Sequence, residues 1–414
     1  MGAAKATPGR RYGSIAFVLT AALNVLYMGN IKNRDHFIQD YDTRFWYTAG
    51  QCWLAGESPY NYTAFTETWT AHYGKPPRDG ASFVYPPIMA LISVPLALLP
   101  WPRAAHLFRL LNLLAYTAAL YGIWRLFRKS LPPGAFWALA AATGFLASVT
   151  QTMVQGQIAL LALLAIVLVL TGWRERRFWL YLAGFLLAAI KPQLTLLFLA
   201  YTVMMGGVAY GIVAGAVTAT IATGVFFLWP VSQEALRLTL SHHTAIRMNH
   251  PAGYDSVPAL IGETPLGNAA MLGGVLAGLA CTAWIGWRYR VGHGVEAPSL
   301  PALQHHVLAL VALTIAFLPA HRYDLAVHAL FVLALVSLRS VLAQAGLLLL
   351  VLLHGRIYSV GGILHKIAGA PTAIDHDYWS GHASSMLSGV TLVLVLGILW
   401  RQRETGSSAG TVRP

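Results

Sequence analysis

Five places along this chain concentrate side chains able to do chemistry. Asp40 and Asp42 follow the first apolar run, at the point where the chain turns polar. A carboxylate at the edge of an apolar phase is partly desolvated, which raises its pKa and suits it to general-base work; a solvated loop pair would look the same in sequence. Lys191-Pro192-Gln193 interrupts the apolar stretch 178–205. A cation at membrane depth costs about 2.5–3.5 kcal/mol, so Lys191 needs a partner, a polar cavity or room to snorkel to the interface. Pro192 frees a backbone carbonyl and Gln193 adds an amide, the means by which membrane proteins line a cavity. Gln155-Gly156-Gln157 similarly sets Gln157 at the mouth of a helix. His321-Arg322-Tyr323-Asp324 lies between two apolar runs. It reads either as an Arg322–Asp324 clasp or as a phosphate-recognising turn, with Arg322 the planar cation and His321 a second donor. Asp375, His376, Asp377 and His382 are of metal-ligand type, but adjacent positions point to different faces, so no metal is expected.

These residues must be positioned by membrane helices. Of the 414 residues, 57% are apolar and 10% charged, against roughly 25% charged in soluble domains. That excludes a soluble enzyme and a disordered chain, and two cysteines cannot build a disulfide scaffold. Apolar runs lie near 14–29, 84–100, 104–124, 134–150, 157–172, 178–205, 210–229, 267–287, 303–319, 325–338, 341–357 and 384–400. A crossing takes about 20 residues, and open sheets are excluded from lipid. The fold class is therefore all-α: a polytopic bundle of 11 to 13 helices, read as one membrane domain over 1–404 with a polar, disordered tail at 405–414. The stretch 178–205 breaks at Lys191-Pro192 into two helices. One part of 84–124, which holds Pro95, Pro100 and Pro102, is short, tilted or re-entrant.

The net charge of +13 resembles that of a nucleic-acid binder, but the basic residues sit in small clusters beside apolar runs. Arg10 with Arg11, Arg125 with Arg128 and Lys129, Arg174 with Arg176 and Arg177, and Arg401 with Arg403 follow the positive-inside rule. No nucleic-acid partner is expected; the partner is the bilayer of a plasma (inner) membrane. With both termini inside, twelve of the fifteen acidic residues fall on the outer side, so the chemistry belongs to the extracytoplasmic face. The largest outer loop, 30–83, contains an aromatic-rich stretch at 42–55 that suits interfacial helices. Trp46 and Tyr47 there could face a sugar ring or anchor a helix, and anchoring is the expectation.

Read in order, several segments resemble glycosyltransferase family 87, polyprenyl-phosphate-mannose-dependent mannosyltransferase-like membrane proteins of the GT-C superfamily. DTRFWYTAGQCWLAGESPY aligns Asp42 with the family's opening acid, with Gly50, Gly56, Pro59 and Tyr60 in step. FVYPPIMALISVPLALLP at 83–100 matches its Tyr-Pro-Pro element. Gly156-Gln157, the Ala-Gly…Lys-Pro-Gln run from 183 to 193, and PAHRYDLAVHAL at 319–330 follow. The Ser-Pro-His and Asn-Gln-Ser elements of the family are kept only in part.

The resemblance implies a GT-C bundle that moves a hexose from a polyprenyl-phosphate donor to a hydroxyl of a glycolipid or glycan. Mannose is the family's commonest association. Asp42 would be the catalytic base, and inversion at the anomeric carbon is expected. Lys191, Arg322 and His321 would stabilise the departing phosphate. Asp40, Tyr85, Gln157, Gln193 and Tyr323 would contact sugar or phosphate. No diphosphate leaves, so no cofactor and no metal is expected. A secondary transporter or lipid flippase would also place charge and broken helices near a site, but such proteins usually carry inverted repeats, and none is evident here. A non-catalytic assembly partner of the same fold is the third alternative.

Overall fold

The computed structural model describes residues 40–77, 83–128, 146–229, 256–261, 265–293, 298–319, 322–330 and 383–399, with isolated positions between them. The run near 14–29, most of 134–145, 230–264 and 331–357, His321 and the 375–382 loop lie outside the described residues. Every described element is a helix: α1 Tyr41–Leu54, α2 Tyr62–Tyr73, α3 Ala90–Ala97, α4 Trp101–Phe127, α5 Ala147–Gln155, α6 Ala159–Arg174, α7 Phe178–Ala188, α8 Pro192–Thr202, α9 Val208–Leu228, α10 Pro265–His293, α11 Leu300–Phe317 and α12 Ala383–Leu399. Short 3₁₀ turns at Pro87–Met89, Val257–Ile261 and Arg322–Val327 complete the set. This is an all-α, polytopic membrane protein.

Four described helical stretches are long and apolar enough to cross a bilayer: Trp101–Phe127, Pro192–Val225, Ala269–His293 and Leu300–Phe317. The second is not one straight rod. At 34 residues it would reach about 50 Å at 1.5 Å per residue, well beyond a ~30 Å core. Met205 and Gly206 leave helical geometry, Gly206 at φ 96, and separate α8 from α9. A further pair, α5 and α6, is bent by 119° at residues 156–158. The expected break at Lys191-Pro192 is present: α7 ends at Ala188, and α8 starts with Pro192 at its first position, where a missing N–H costs nothing. Within 84–124 the short part is Pro87–Ala97 and the long part is α4.

The described residues divide into two compact units. One comprises the described residues of 40–122 and 149–229, the other those of 123–148 and from 256 onward. In the first, α1 is buried on nearly every face: nine of its fourteen residues are enclosed, among them Phe45, Trp46, Tyr47 and Trp53. Its apolar cluster draws in Phe65 and Trp69 of α2, Met89 and Val94 around α3, Phe108 of α4, Ile158 and Ile190. Gly50 makes the α1–α3 crossing possible, because a β-carbon there would collide with the Ser93 carbonyl and the Ala97 methyl. The chain then closes each end locally. Gly56, at φ 76, terminates α1, with Gly56 and Glu57 amides bonding back to Trp53 and Cys52 carbonyls. Asn61 caps α2 by accepting from the Thr63 and Ala64 amides. Gln51 Nε2 and Tyr47 Oη donate to the Ala97 and Leu99 carbonyls, which close the end of α3 (2.7 and 3.0 Å). In the second unit, Gly274 lets α10 approach Pro258 and the Phe317 carbonyl, which joins the Val257–Ile261 turn, α10 and α11.

Candidate active site

Asp42 stands in the first turn of α1, half-buried, where a carboxylate complements the helix dipole. Two residues earlier, Asp40 occupies the N-cap position with φ 57 and ψ 20, in the left-handed region. Asp tolerates that conformation better than most residues, because its short side chain can bond locally. Here the carboxylate bonds elsewhere. It caps no amide of its own helix and instead meets Arg109 of α4: Nε lies 2.8 Å from one oxygen and Nη2 bonds the other. This is a two-pronged, charge-assisted pair. The Asp40 amide donates to the Val154 carbonyl at 2.9 Å, and the Asp40 carbonyl accepts from the Arg44 amide. Four hydrogen bonds thus hold the residue that starts α1.

The next anchors reach the α5–α6 break. Trp46 Nε1 donates to the Gly156 carbonyl at 2.9 Å. Gly156 has φ 73, and a β-carbon on it would strike the Thr43 hydroxyl, so the first turn of α1 sits directly on this glycine. Asn112, one turn after Arg109 on α4, donates through Nδ2 to the Gln157 carbonyl at 2.9 Å. Gln157 itself is buried. On the other side, the Trp46 ring contacts Tyr85 edge to face at a centroid distance of 4.0 Å. Tyr60 Oη donates to the Tyr85 carbonyl at 2.6 Å. The Pro59-Tyr60 pair and the Tyr-Pro-Pro element, 25 residues apart in sequence, are therefore bonded to one another. Burial pushes the Tyr60 and Tyr73 phenols well above their usual range, the Arg44 cation opposing the shift at Tyr73. Both stay neutral.

Of the residues singled out from sequence, Asp40, Asp42, Tyr85 and Gln157 are thus gathered around one end of α1. Lys191 is the N-cap residue of α8, and only 3% of it is exposed, so protein encloses it and it does not snorkel. Ile190, its neighbour, packs in the cluster that also holds Trp46 and Ile158. Gln193 is half-buried in the first turn of α8. The 3₁₀ turn Arg322–Val327 carries Arg322 and Tyr323 in the second unit, with Asp324 buried; the side chains of Arg322 and Tyr323 lie outside the description. Trp46 is fully enclosed by protein, with Nε1 bonded to the Gly156 carbonyl and its ring against Tyr85.

Arg109 and Asn112 were not anticipated. A cation eight residues into a 27-residue apolar helix was the available signal, since such a charge needs a partner. Which partner could not be read, because Asp40 lies 69 residues away.

No curated protein matches this chain. A family model described as glycosyltransferase family 87 matches residues 83–316. That covers the Tyr85 element, Arg109, Asn112, Gln157 and Lys191-Pro192-Gln193, and stops short of Asp42 on one side and Arg322 on the other. A multi-pass membrane glycosyltransferase agrees with the spans and broken helices described above, and the chain belongs to glycosyltransferase family 87.

Proposed function

We propose that the protein transfers a hexose, mannose being the first candidate, from a polyprenyl-phosphate carrier to a hydroxyl of a glycolipid or glycan at the extracytoplasmic membrane face. The observation that carries this reading is the way the start of α1 is built. Asp42 stands half-buried in a turn that Asp40–Arg109, Trp46–Gly156 and Thr43 on Gly156 hold in place. A positioned base of this kind typically contributes about 10²–10⁴-fold, and only if its position is held.

In the reaction, Asp42 takes the proton of the acceptor hydroxyl while that oxygen attacks the anomeric carbon. The bond to the phosphate oxygen breaks on the opposite face, and polyprenyl phosphate leaves with the electron pair. Its growing negative charge calls for cations in a water-poor setting. Lys191, enclosed at the head of α8, suits that role; by the family resemblance alone, Arg322, His321 and Tyr323 are also assigned to substrate binding. Tyr85, Gln193 and Gln157 are assigned to substrate contacts. Asp40 is engaged with Arg109, so we assign it to holding the turn rather than touching substrate. One phosphate leaves rather than a diphosphate, and the step needs no divalent metal.

The donor class is tested with membranes holding the overexpressed chain, given either labelled polyprenyl-phosphate hexose or the matching nucleotide hexose, with carrier synthesis blocked. Label is expected to move from the first donor only, with the anomeric configuration inverted in the product. Transfer from the nucleotide sugar alone, or retention of configuration, would overturn the donor or the mechanism respectively.

A further inference from the structure

The outer end of α4 carries cations where the positive-inside rule leaves few. Arg103, His106 and Arg109 follow one another along one side of the helix, and Arg103 and His106 are exposed. Directly below them come Leu107, Leu110, Leu111 and Leu114, all exposed. A basic head thus sits on an apolar shaft.

Two contacts fix the depth of that head. Asn112 Nδ2 meets the Gln157 carbonyl, and ten residues further along both helices a β-carbon on Gly122 would strike the Val167 side chain. α4 and α6 therefore run side by side, in the same direction and in step. α6 ends at Arg174, in the basic turn expected at the cytoplasmic surface, and its 16 residues rise about 24 Å. His106 and Arg103 lie six and nine residues above Asn112, which adds about 9 and 14 Å. They stand about 33 and 38 Å from the inner basic turn, against a ~30 Å hydrocarbon core and about 40–45 Å for the bilayer with its headgroups. Both side chains are at the level of the outer headgroups, and the four leucines lie in the outer leaflet.

The charges at this head are partly spent. Arg109 gives Nε and Nη2 to Asp40, and its Nη1 lies 3.3 Å from His106 Nδ1. A guanidinium only donates, so Nδ1 accepts and the imidazole proton sits on Nε2. His106 is a neutral ring with one N–H left to give. Arg103 adds a full positive charge and has no ion pair among the described residues. A phosphodiester matches this pair: it carries one negative charge and accepts from both a guanidinium and an N–H. A zwitterionic lipid would bring its own cation against Arg103.

We propose that this face of α4 binds an anionic phospholipid of the outer leaflet, with the phosphate on Arg103 and His106 Nε2 and the acyl chains along Leu107, Leu110, Leu111 and Leu114. The lipid adds one member to the series Asp40–Arg109–His106 and holds Arg109 from the side away from Asp40. Its effect on transfer rests on the sugar-transfer reading above, because that series ends two residues from Asp42. The binding itself does not.

The test uses the full chain and the variants Arg103→Gln, Arg103→Lys and His106→Phe. Phosphatidylglycerol added to the detergent-solubilised wild type should raise its unfolding temperature at lower concentration than phosphatidylcholine does. A cation beside an anionic lipid contributes about fivefold. Arg103→Gln should cut the preference by about that factor, Arg103→Lys should keep most of it, and His106→Phe should cut it while keeping a ring in place. In reconstituted vesicles, wild-type transfer should be faster with phosphatidylglycerol present than in phosphatidylcholine alone, and Arg103→Gln should lose the difference. A preference that survives intact in both Arg103→Gln and His106→Phe overturns the site. So does displacement of phosphatidylglycerol by farnesyl phosphate, with a raised KM for the polyprenyl-phosphate donor in Arg103→Gln, because the occupant would then be the substrate. Binding with no lipid effect on a measurable transfer rate overturns the link to Asp42. A wild type that binds phosphatidylglycerol through these residues and transfers sugar from no donor keeps the site and overturns the sugar-transfer reading instead.

Discussion

Arg109 shows how one side chain can decide where another works. Its guanidinium bonds both oxygens of Asp40, two residues before Asp42. Removing one partner of such a pair leaves a largely enclosed charge without compensation, a change that typically costs about 3 kcal/mol. We expect Arg109→Gln to lower the unfolding temperature markedly and Asp40→Asn/Arg109→Gln to recover part of the loss. Strictly additive effects in that cycle would show that the pair carries no coupling. Cys52 offers a second check on the same helix. Burial raises its thiol pKa to about 11 from a usual 9.0, partly offset by a hydrogen bond to Thr68. The folded state therefore holds the proton more tightly than the unfolded chain. The contribution to stability is fully present below about pH 9 and is lost as pH rises through about 11. Unfolding temperatures should fall over that window in the wild type and less steeply in Cys52→Ala. Parallel curves would contradict the burial of this thiol.

At the scale of elements, glycines and breaks explain why the family-like segments have the residues they do. Gly50 admits α3, Gly56 ends α1, and Gly156 accepts the first turn of α1 at a φ of 73. An alanine at 156 meets both a disfavoured backbone region and the Thr43 hydroxyl. Strain at such positions is of order 1–3 kcal/mol, and the displaced turn carries Asp42. Gly156→Ala should therefore reduce kcat by more than tenfold, beyond any loss of folded protein measured on the same sample. Unaltered kcat would mean that the break does not position the base. Much of this layer was legible in advance. Lys191-Pro192 announced its own break, because a proline inside an apolar stretch removes a donor and clashes with the preceding turn. The prolines at 95, 100 and 102 marked one part of 84–124 as short, tilted or re-entrant, and the structure shows that this part is the short helix before α4. Trp46 was not legible: an aromatic-rich segment reads the same whether its rings lie at an interface or inside a packed cluster, and only the 110-residue contact to Gly156 distinguishes them. Thr43 and Asn112 were invisible for the same reason, being ordinary residues until the fold brings them to one turn.

For the molecule as a whole, composition settled the class, since a chain with 10% charged residues has little choice but to be a membrane bundle of helices. Orientation is a stronger claim and is open to direct measurement. The Glu175–Arg177 turn between α6 and α7 is rich in arginine and is expected inside, whereas the segment between α1 and α2 is expected outside. Single cysteines at Ser58 and Glu175, introduced after Cys52→Ala and Cys281→Ala, should react with an impermeant maleimide from opposite sides of sealed vesicles. Labelling of both from one side would place the proposed base on the wrong face.

The central claim is that Asp42 draws the proton from the attacking hydroxyl. Asp42→Asn keeps the size of the side chain and removes its basicity, so reconstituted wild type and variant should bind polyprenyl-phosphate hexose equally. Transfer of label by the variant should fall by at least about a hundredfold, the lower end of general-base contributions. A variant that binds donor and transfers label at the wild-type rate would contradict the account, leaving Asp42 a structural residue at the start of α1.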